Sequence, residues 1–451
     1  MTQDNPGYRR ELGGGLVLRW SKAADEEALV ALYRQVFRQS KDAPPNSTIG
    51  PWVRDMMSGR HPLLGAGDFA LVEDTDAGKI VAATCLMDQV WEYEGIALPV
   101  GRPEIVASDE DYRERGLVRA VFELIHARSA ARGHLAQGIT GISYYYRQFE
   151  YEYAVDLDGA RWVYFAAIPK LKPGEPEPYA LRDATADDLP QVQALYERER
   201  SRGPISTRID AAYWRWVLEG QSPESGEGWR TQLIAGADGR AIGYVLTRSR
   251  RWGDSIGVLG MSLEPGVAWP AVLPAVLRAI QAQAATIPTY KPDAPPAARI
   301  GLRFGQSHPA YDALGDALAA TSEPPYAWYV RVPDLPGLIR RVAPALERRL
   351  ADSIAAGHTG ELRLDFYRGG LRLAFEQGRL TAAEDWSVRA VRWGPQPQGG
   401  FPPLVFLQLL FGRRSLAELR HIYPDVYAEE DGRALLESLF PARPSWVMPL
   451  D

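Results

Sequence analysis

The residues best able to do chemistry lie between Val106 and Val118. A short β-like run there ends at Ser108, a polar loop follows, and Arg113-Glu114-Arg115-Gly116-Leu117-Val118 leads into a helix. A helix entered at a glycine presents N–H groups that have no partner within the helix, at the positive end of its dipole. Such an end suits a pyrophosphate, and Gly116 lets the backbone approach it closely. Downstream, GISYYYRQFEYEYA gathers Tyr144, Tyr145, Tyr146, Tyr151 and Tyr153, phenols able to pack as an aromatic cluster or to give up a proton.

These groups need regular elements to position them. After Gly116, the apolar residues Leu117, Val118, Val121, Phe122, Leu124 and Ile125 recur at helical spacing, and Arg132-Gly133 supplies a basic last turn and a stop. The surroundings are repeated. Leu18-Arg19, Asp25 and Leu32-Tyr33 recur as Leu181-Arg182, Asp188 and Leu195-Tyr196, all displaced by 163 positions (18 to 181, 25 to 188, 32 to 195). Likewise FALVEDTDAGKIVAATC and QLIAGADGRAIGYVLTR each read as strand, Asp/Gly turn and strand, around Gly78 and Gly239. Both copies therefore start as strand, helix and hairpin, an α/β (α+β) design built on mixed sheets.

LKPGEPEP, residues 171 to 178, is a solvated linker between the copies. A second boundary follows the turn at Pro324-Pro325, where a strand leads into a helix near Asp334. The expected units are 1–172, 173–328 and 329–451, the last a separate α+β unit. It holds strands at Leu362 to Phe366 and Leu371 to Phe375 and an apolar helix, FPPLVFLQLLFGRRSLAEL.

With 451 residues the chain exceeds one ordinary core. A net charge of −6 provides no basic stripe for nucleic acid, and the basic clusters Arg248 to Arg251 and Arg340-Arg341 read as solvated faces. No apolar run is long enough to span a bilayer. The opening MTQDNPGYRRELGGG lacks the apolar centre of a secretory signal. Lone Cys85, in IVAATCLM, reads as a buried strand residue, and the six histidines show no metal-ligand spacing. A metal-free cytoplasmic protein is expected.

Together the strand, loop and helix at 106–118 resemble the acetyl-CoA-binding motif of the GCN5-related N-acetyltransferases, written [RQ]xxGx[GA]. The match runs from Arg113 through Glu114, Arg115, Gly116 and Leu117 to Val118, where the family has a small residue; Glu110 stands where many relatives have proline. The resemblance implies that Val106, Ala107 and Ser108 pair their backbone with the pantetheine arm, as an added strand does in peptide recognition. Tyr146-Arg147-Gln148-Phe149-Glu150-Tyr151 resembles the family's second motif, with Glu150 in place of its glycine. It implies Tyr146 as the acid that protonates the departing thiolate of coenzyme A, with Tyr145 the competing candidate.

In the second copy MSLEPGVAWPAVLPAVLRAI has no RxxG arginine and carries Pro265 and Pro270, so a single cofactor site is expected. Tyr311-Asp312-Ala313-Leu314-Gly315 still echoes the later motif. Two such copies followed by an α+β unit are similar to the Eis-like (enhanced intracellular survival) acetyltransferases, whose third domain resembles sterol carrier proteins. That likeness implies a homo-oligomer, often a hexamer, and a C-terminal carboxylate acting as base, here that of Asp451 behind the anchoring Trp446 and Pro449. The acceptor is then a small-molecule or lysine amine, attacking the thioester directly. Trp52, Trp91, Asp55 and Glu92 could line its pocket, although core packing for the tryptophans and surface exposure for the acids are the competing readings. Two other functions compete: a sensor that binds acetyl-CoA without turnover, and a carrier of an apolar ligand along the stripe Leu404, Phe406, Leu407, Leu410 and Phe411.

Overall fold

The computed structural model describes residues 2–387 and 396–450, and three mixed sheets organise it. In the first sheet, β1 (Arg9–Gly13), β2 (Leu16–Trp20), β3 (Phe69–Asp74), β4 (Lys79–Tyr93), β5 (Ile96–Ser108) and β6 (Ala136–Ile139) lie side by side in chain order. Beyond β6 come β16 (Tyr326–Arg331) and then β7 (Glu152–Leu157), while β10 (Ile205–Thr207) pairs with the far end of β4. In the second sheet the order is β9 (Tyr179–Asp183), β11 (Trp229–Gly236), β12 (Ala241–Arg248), β13 (Ser255–Leu263), β14 (Arg299–Leu302), β8 (Ala160–Tyr164) and β15 (Thr321–Glu323). The two sheets share one plan. Each has a single parallel pair, β5 with β6 and β13 with β14, among antiparallel neighbours.

Each sheet also takes a strand from the other repeat. β8 precedes the linker at 171–178 yet sits between β14 and β15, and β16 sits in the matching place between β6 and β7. The sheets therefore do not divide at 172 and 328. Residues 172–178 are exposed, as a linker should be, but linker composition reports contact with solvent and carries no information about strand partners. Trp328 of β16 is fully buried and packs edge-on to Trp91 of β4 at 5.4 Å, so the exchanged strand is part of the first core. Truncating a buried tryptophan of this kind costs roughly 3–5 kcal/mol.

The repeated Leu-Arg and Asp residues form the same joint twice. Arg19 at the end of β2 makes two bonds to Asp25 ahead of α1 (Glu26–Val36), at 2.7 and 2.8 Å. Arg182 of β9 does so with Asp188 ahead of α4 (Leu189–Arg200), both at 2.7 Å. Each aspartate also accepts a backbone N–H three residues back, from Lys22 and from Thr185, and so ties off the turn that leads into the helix. Strand-to-helix entry is thus fixed by bidentate, charge-assisted bonds in both copies. Gly78 and Gly239 turn the two hairpins at φ +64° and +78°, a conformation that favours glycine.

β4 reads KIVAATCLMDQVWEY and is buried almost continuously over its first two-thirds, because helices cover both faces of the sheet there. On one side lie α1 and α2 (Ile49–Met57), with Leu29, Tyr33, Val53 and Met56 against Cys85. On the other lies α3 (Leu117–Ala131), burying Leu117, Val121, Phe122, Leu124 and Ile125. The second sheet carries α4, α5 (Ala211–Arg215), α6 (Trp269–Gln283) and α7 (Pro309–Leu318).

The third unit has α8 (Leu335–Ala351), capped by Asp334, and a sheet ordered β19 (Arg379–Asp385), β18 (Gly370–Glu376), β17 (Gly360–Asp365), β20 (Gly399–Gly400) and β21 (Tyr427–Ala428). Its core is not separate. Leu338, Val342, Leu364 and Phe406 belong to one apolar cluster with Trp91, Val100, Val155 and Trp328 of the first sheet. The long apolar helix expected from 401 to 419 is broken into α9 (Phe406–Leu410) and α10 (Leu416–Ile422), with α11 (Glu430–Leu439) beyond. Leu404 at φ +72° and Gly412 at +77° interrupt it, and Ser415 with Glu418 forms a capping box that starts the second piece. Phe406, Leu407, Leu410 and Phe411 are buried core residues.

Candidate active site

β5 and β6 begin as parallel neighbours and then separate. Only Val100–Ala136 and Gly101–Gln137 are paired, so beyond Gly101 the β6-facing edge of β5 has no strand partner among the described residues. A bulge accompanies the parting. Thr84 of β4 stands opposite both Ile105 and Val106, Ile105 takes φ +54°, and the Thr84 hydroxyl bonds the Glu104 carbonyl at 2.8 Å. Bulges of this kind bend a strand and re-aim its side chains. The free edge contains Val106, Ala107 and Ser108, with backbone groups available to an extended ligand.

At the end of that edge the chain turns through Asp109 to Gly116 into α3. Glu114 and Gly116 adopt φ +63° and +75°, and Gly116 is the residue that caps the helix. Arg113, Glu114, Arg115 and Gly116 are exposed, whereas the Leu117 side chain is buried and Val118 half-buried. Leu117 and Val118 therefore offer backbone N–H groups rather than side chains. Nothing lies within 4 Å of the Cβ position of Gly116, so the cradle is open as a pyrophosphate requires. Arg115 stacks over Tyr112 at 4.9 Å and leaves the helix end accessible.

Tyr146 lies in a short 3-10 turn, Tyr145–Phe149. Its ring packs on Phe122 of α3, on Tyr145, and on Tyr329 of the exchanged strand, at 5.8, 5.2 and 5.4 Å. Although Tyr146 is only 3% exposed, its hydroxyl makes no hydrogen bond with any described residue. Burial, then the Glu104 carboxylate and Tyr145, raise this phenol far above its ordinary range, so it holds its proton at neutral pH. Tyr145 is half-buried, and burial raises it as well. Glu150, standing where the resembling motif has glycine, takes the left-handed conformation that a glycine would, φ +68°.

The loop before the turn is tied down from β16. Tyr329 donates to the Ile142 carbonyl at 3.0 Å, Tyr326 donates to that of Gly141 at 3.3 Å, and Tyr153 accepts from the Tyr144 N–H at 2.8 Å. Tyr153 and Tyr329 share a 2.5 Å bond. The exchanged strand thus sets where Tyr146 stands.

Asp451 lies outside the described residues, but the chain leading to it is well anchored. Trp446 pairs in parallel with Asp156, the Trp328 indole donates to the Val447 carbonyl at 2.9 Å, and Thr207 donates to Met448 at 3.2 Å. Arg102 and Gln89, both buried side chains of the first sheet, hold the Leu450 carbonyl. Pro449 lines a cleft of about 540 Å³ together with Trp52, Arg102, Glu104 and Thr140 on one side and Glu227, Arg248 and Trp252 on the other.

Sequence reasoning missed Arg102, Glu104 and Gln89. Arg102 is 2% exposed, pairs with Glu104 and lies over Trp328 at 5.1 Å. The available signal was an Arg-Pro-Glu inside an otherwise apolar strand, because buried charges need partners. Of the four residues considered for an acceptor pocket only Trp52 reaches the cleft. Trp91 is core, Glu92 pairs with Arg200, and Asp55 accepts the Ser222 N–H at 2.9 Å, joining α2 to the second unit. Burial raises Asp55 to about 6 against the opposing pull of that bond and of Arg60. The cluster at 248 to 251 is not a solvated face. Arg248 pairs with Glu227 at 2.6 Å, and Arg250 donates to the carbonyls of Ser225, Thr289 and Pro223, because the loops it crosses leave backbone oxygens to satisfy. Cys85 is buried on β4, and burial pushes its thiol up, leaving it unsuited to nucleophilic work.

Among the described residues no cluster of histidine, cysteine or carboxylate could hold a metal ion, and no helix is long and apolar enough to cross a membrane. Residues 18–154 match the family model described as acetyltransferase (GNAT) domain. No curated protein matches the chain in sequence. A probable N-acyltransferase of unknown function from Enterococcus faecalis V583 is similar in structure, at 13% identity and TM-score 0.68, covering 97% of this chain and 99% of that one. A GCN5-related N-acetyltransferase from Kribbella flavida gives 17% identity and TM-score 0.64, covering 97% and 98%. Eis1 from Mycobacterium abscessus gives 14% and 0.57, covering 96% and 98%. At these identities the likeness is one of fold, over nearly the full length of each chain.

Proposed function

We propose that this chain is an acetyl-CoA-dependent N-acetyltransferase with one active centre, at the parting of β5 and β6. The observation that carries the reading is the unpaired edge of β5, running from the glycine-capped end of α3 toward the free hydroxyl of Tyr146. When bound, acetyl-CoA supplies a thioester carbonyl open to attack by an amine. The first-turn N–H groups after Gly116 bind the pyrophosphate, and Val106, Ala107 and Ser108 pair with the pantetheine amides. Both contacts hold the thioester beside the cleft, so that proximity supplies much of the rate.

Tyr146 keeps its hydroxyl proton at neutral pH and gives it to the departing sulfur. The α-carboxylate of Asp451 takes the proton of the incoming amine, and the residue before it, Leu450, is held through its carbonyl by Arg102 and Gln89. The acceptor enters through the cleft lined by Trp52, Glu227 and Trp252. On this reading the second sheet is a copy of the first that has lost its cofactor cradle.

Thiol release from acetyl-CoA tests this directly, with an aminoglycoside, a polyamine, a small primary amine and a lysine peptide as acceptors. Release with at least one of them, reduced about a hundredfold or more in Tyr146→Phe, is the expected result. Tight binding of acetyl-CoA with no release for any amine would instead make the chain a sensor. Removing Leu450 and Asp451 should lower turnover with little change in acetyl-CoA affinity, and unchanged turnover would remove the terminal carboxylate from the mechanism.

A further inference from the structure

The second sheet keeps a cavity of about 270 Å³ where β13 leaves β14. It occupies the same place in its sheet as the β5–β6 parting, and the bulge is repeated: Leu259 is the extra residue between the pairs Val258–Thr247 and Gly260–Leu246. The phosphate cradle is not repeated. Ahead of α6 stands Ala268 rather than a glycine, and Pro270 in the first turn removes an N–H group. Coenzyme A therefore has no anchor here.

Three polar groups of the lining have no hydrogen bond with any described residue: the Tyr244 hydroxyl, Glu199 Oε2 and Arg200 Nε. Tyr244 is 2% exposed and its hydroxyl makes no hydrogen bond with any described residue. Burial, followed by Tyr196 and the Glu199 carboxylate, pushes this phenol well up. Glu199 Oε2 is buried and accepts no hydrogen bond; its nearest cation is Arg202 Nε at 3.5 Å. The other oxygen, Oε1, faces His308 Nε2 at 3.2 Å. Because His308 Nδ1 accepts from the Ala310 N–H, the ring proton sits on Nε2 and the histidine brings no positive charge. Asp312 adds a carboxylate at the mouth, and Arg200 is already neutralised by Glu92 and Glu197. Two carboxylates against one arginine leave the cavity negative.

The remaining walls are aromatic and apolar: Phe304, Tyr196, Leu259 and Met261, closed by Trp446 and Met448 of the C-terminal strap. We propose that this cavity is a second binding site, for a small organic ammonium ion whose N–H meets the Tyr244 hydroxyl in the field of the Glu199 carboxylate and whose carbon skeleton lies against Phe304 and Trp446. One strap then serves two cavities. Trp446 and Met448 wall this one, while the Leu450 carbonyl reaches Arg102 in the first.

Calorimetric titration of the full chain without acetyl-CoA tests the proposal. The probe is N,N-dimethylbutylammonium, which carries one N–H and forms no stable amide on acetylation; pentanoate serves as the anionic counterpart. Saturable binding of the ammonium, at least tenfold weaker in Glu199→Gln and in Gly260→Phe, with no binding of pentanoate, is expected. Gly260 lines the cavity, and a Cβ on it would stand 3.5 Å from the Tyr244 hydroxyl and 3.7 Å from Leu246, ordinary contacts. If one variant does not fold, the other decides. No binding to the wild-type chain, equal affinity in the variants, or pentanoate binding as tightly would overturn the proposal. Since no acetyl donor is present, a chain without any transferase activity would leave this outcome unchanged.

Discussion

The partings of β5 from β6 and of β13 from β14 share a backbone plan, and under the proposed function only the first carries the transfer chemistry. Both have a parallel pair that opens, a bulged strand, a helix behind it and a tyrosine beyond it. They differ in two groups. α3 begins at a left-handed glycine with open space around it, whereas α6 begins with Trp269 and Pro270. The Tyr146 hydroxyl is unbonded, whereas that of Tyr311 donates to the Leu302 carbonyl at 2.8 Å and accepts from the Phe304 N–H at 3.0 Å. A hydroxyl engaged on both sides stabilises structure; one left unsatisfied in a buried place is available to substrate.

Five substitutions sharpen or break that contrast. The largest effect belongs to Tyr146→Phe, expected to lower kcat by about 10²–10³-fold with KM for acetyl-CoA little changed, read by thiol release. A loss in KM alone would assign Tyr146 to binding. Gly116→Val places a branched side chain at φ +75° and blocks the cradle. Its acetyl-CoA affinity should fall about a hundredfold by calorimetry, far more than that of Gly266→Val, which changes a left-handed glycine in the corresponding second loop.

The joint between the two regions responds to pH. The Asp55 carboxyl is raised to about 6 in the folded chain, so its contribution to stability is complete below about pH 4 and is lost as pH climbs through about 6. Asp55→Asn keeps an acceptor for the Ser222 N–H and removes the ionisation. It should add on the order of 2 kcal/mol near pH 8 and nothing near pH 4, measured by denaturant unfolding at each pH. The smallest effect is that of Tyr311→Phe, about 1 kcal/mol of stability, with kcat within about twofold.

Much of this was legible in the sequence because it is local. The capped helix at Gly116, the Arg-to-Asp joints at 19–25 and 182–188, and the hairpins at Gly78 and Gly239 are set by residues within a few positions of one another. The strand exchange was not legible. Nothing in Ala160–Tyr164 or Tyr326–Arg331 states which sheet receives it, since either strand satisfies the same backbone bonds and only long-range packing of Trp162 and Trp328 distinguishes the places. Arg102 was passed over because two of its partners, Leu450 and Trp328, lie more than two hundred residues away in sequence. Arg248 read as a surface charge because its partner Glu227 lies across a loop and a hairpin rather than at helical or strand spacing.

The stoichiometry of acetyl-CoA binding tests the central claim most directly. Calorimetric titration should give one acetyl-CoA per chain, lost in Gly116→Val and kept in Gly266→Val. Two per chain, or binding that survives Gly116→Val and disappears with Gly266→Val, would contradict the assignment of the active centre to β5 and β6.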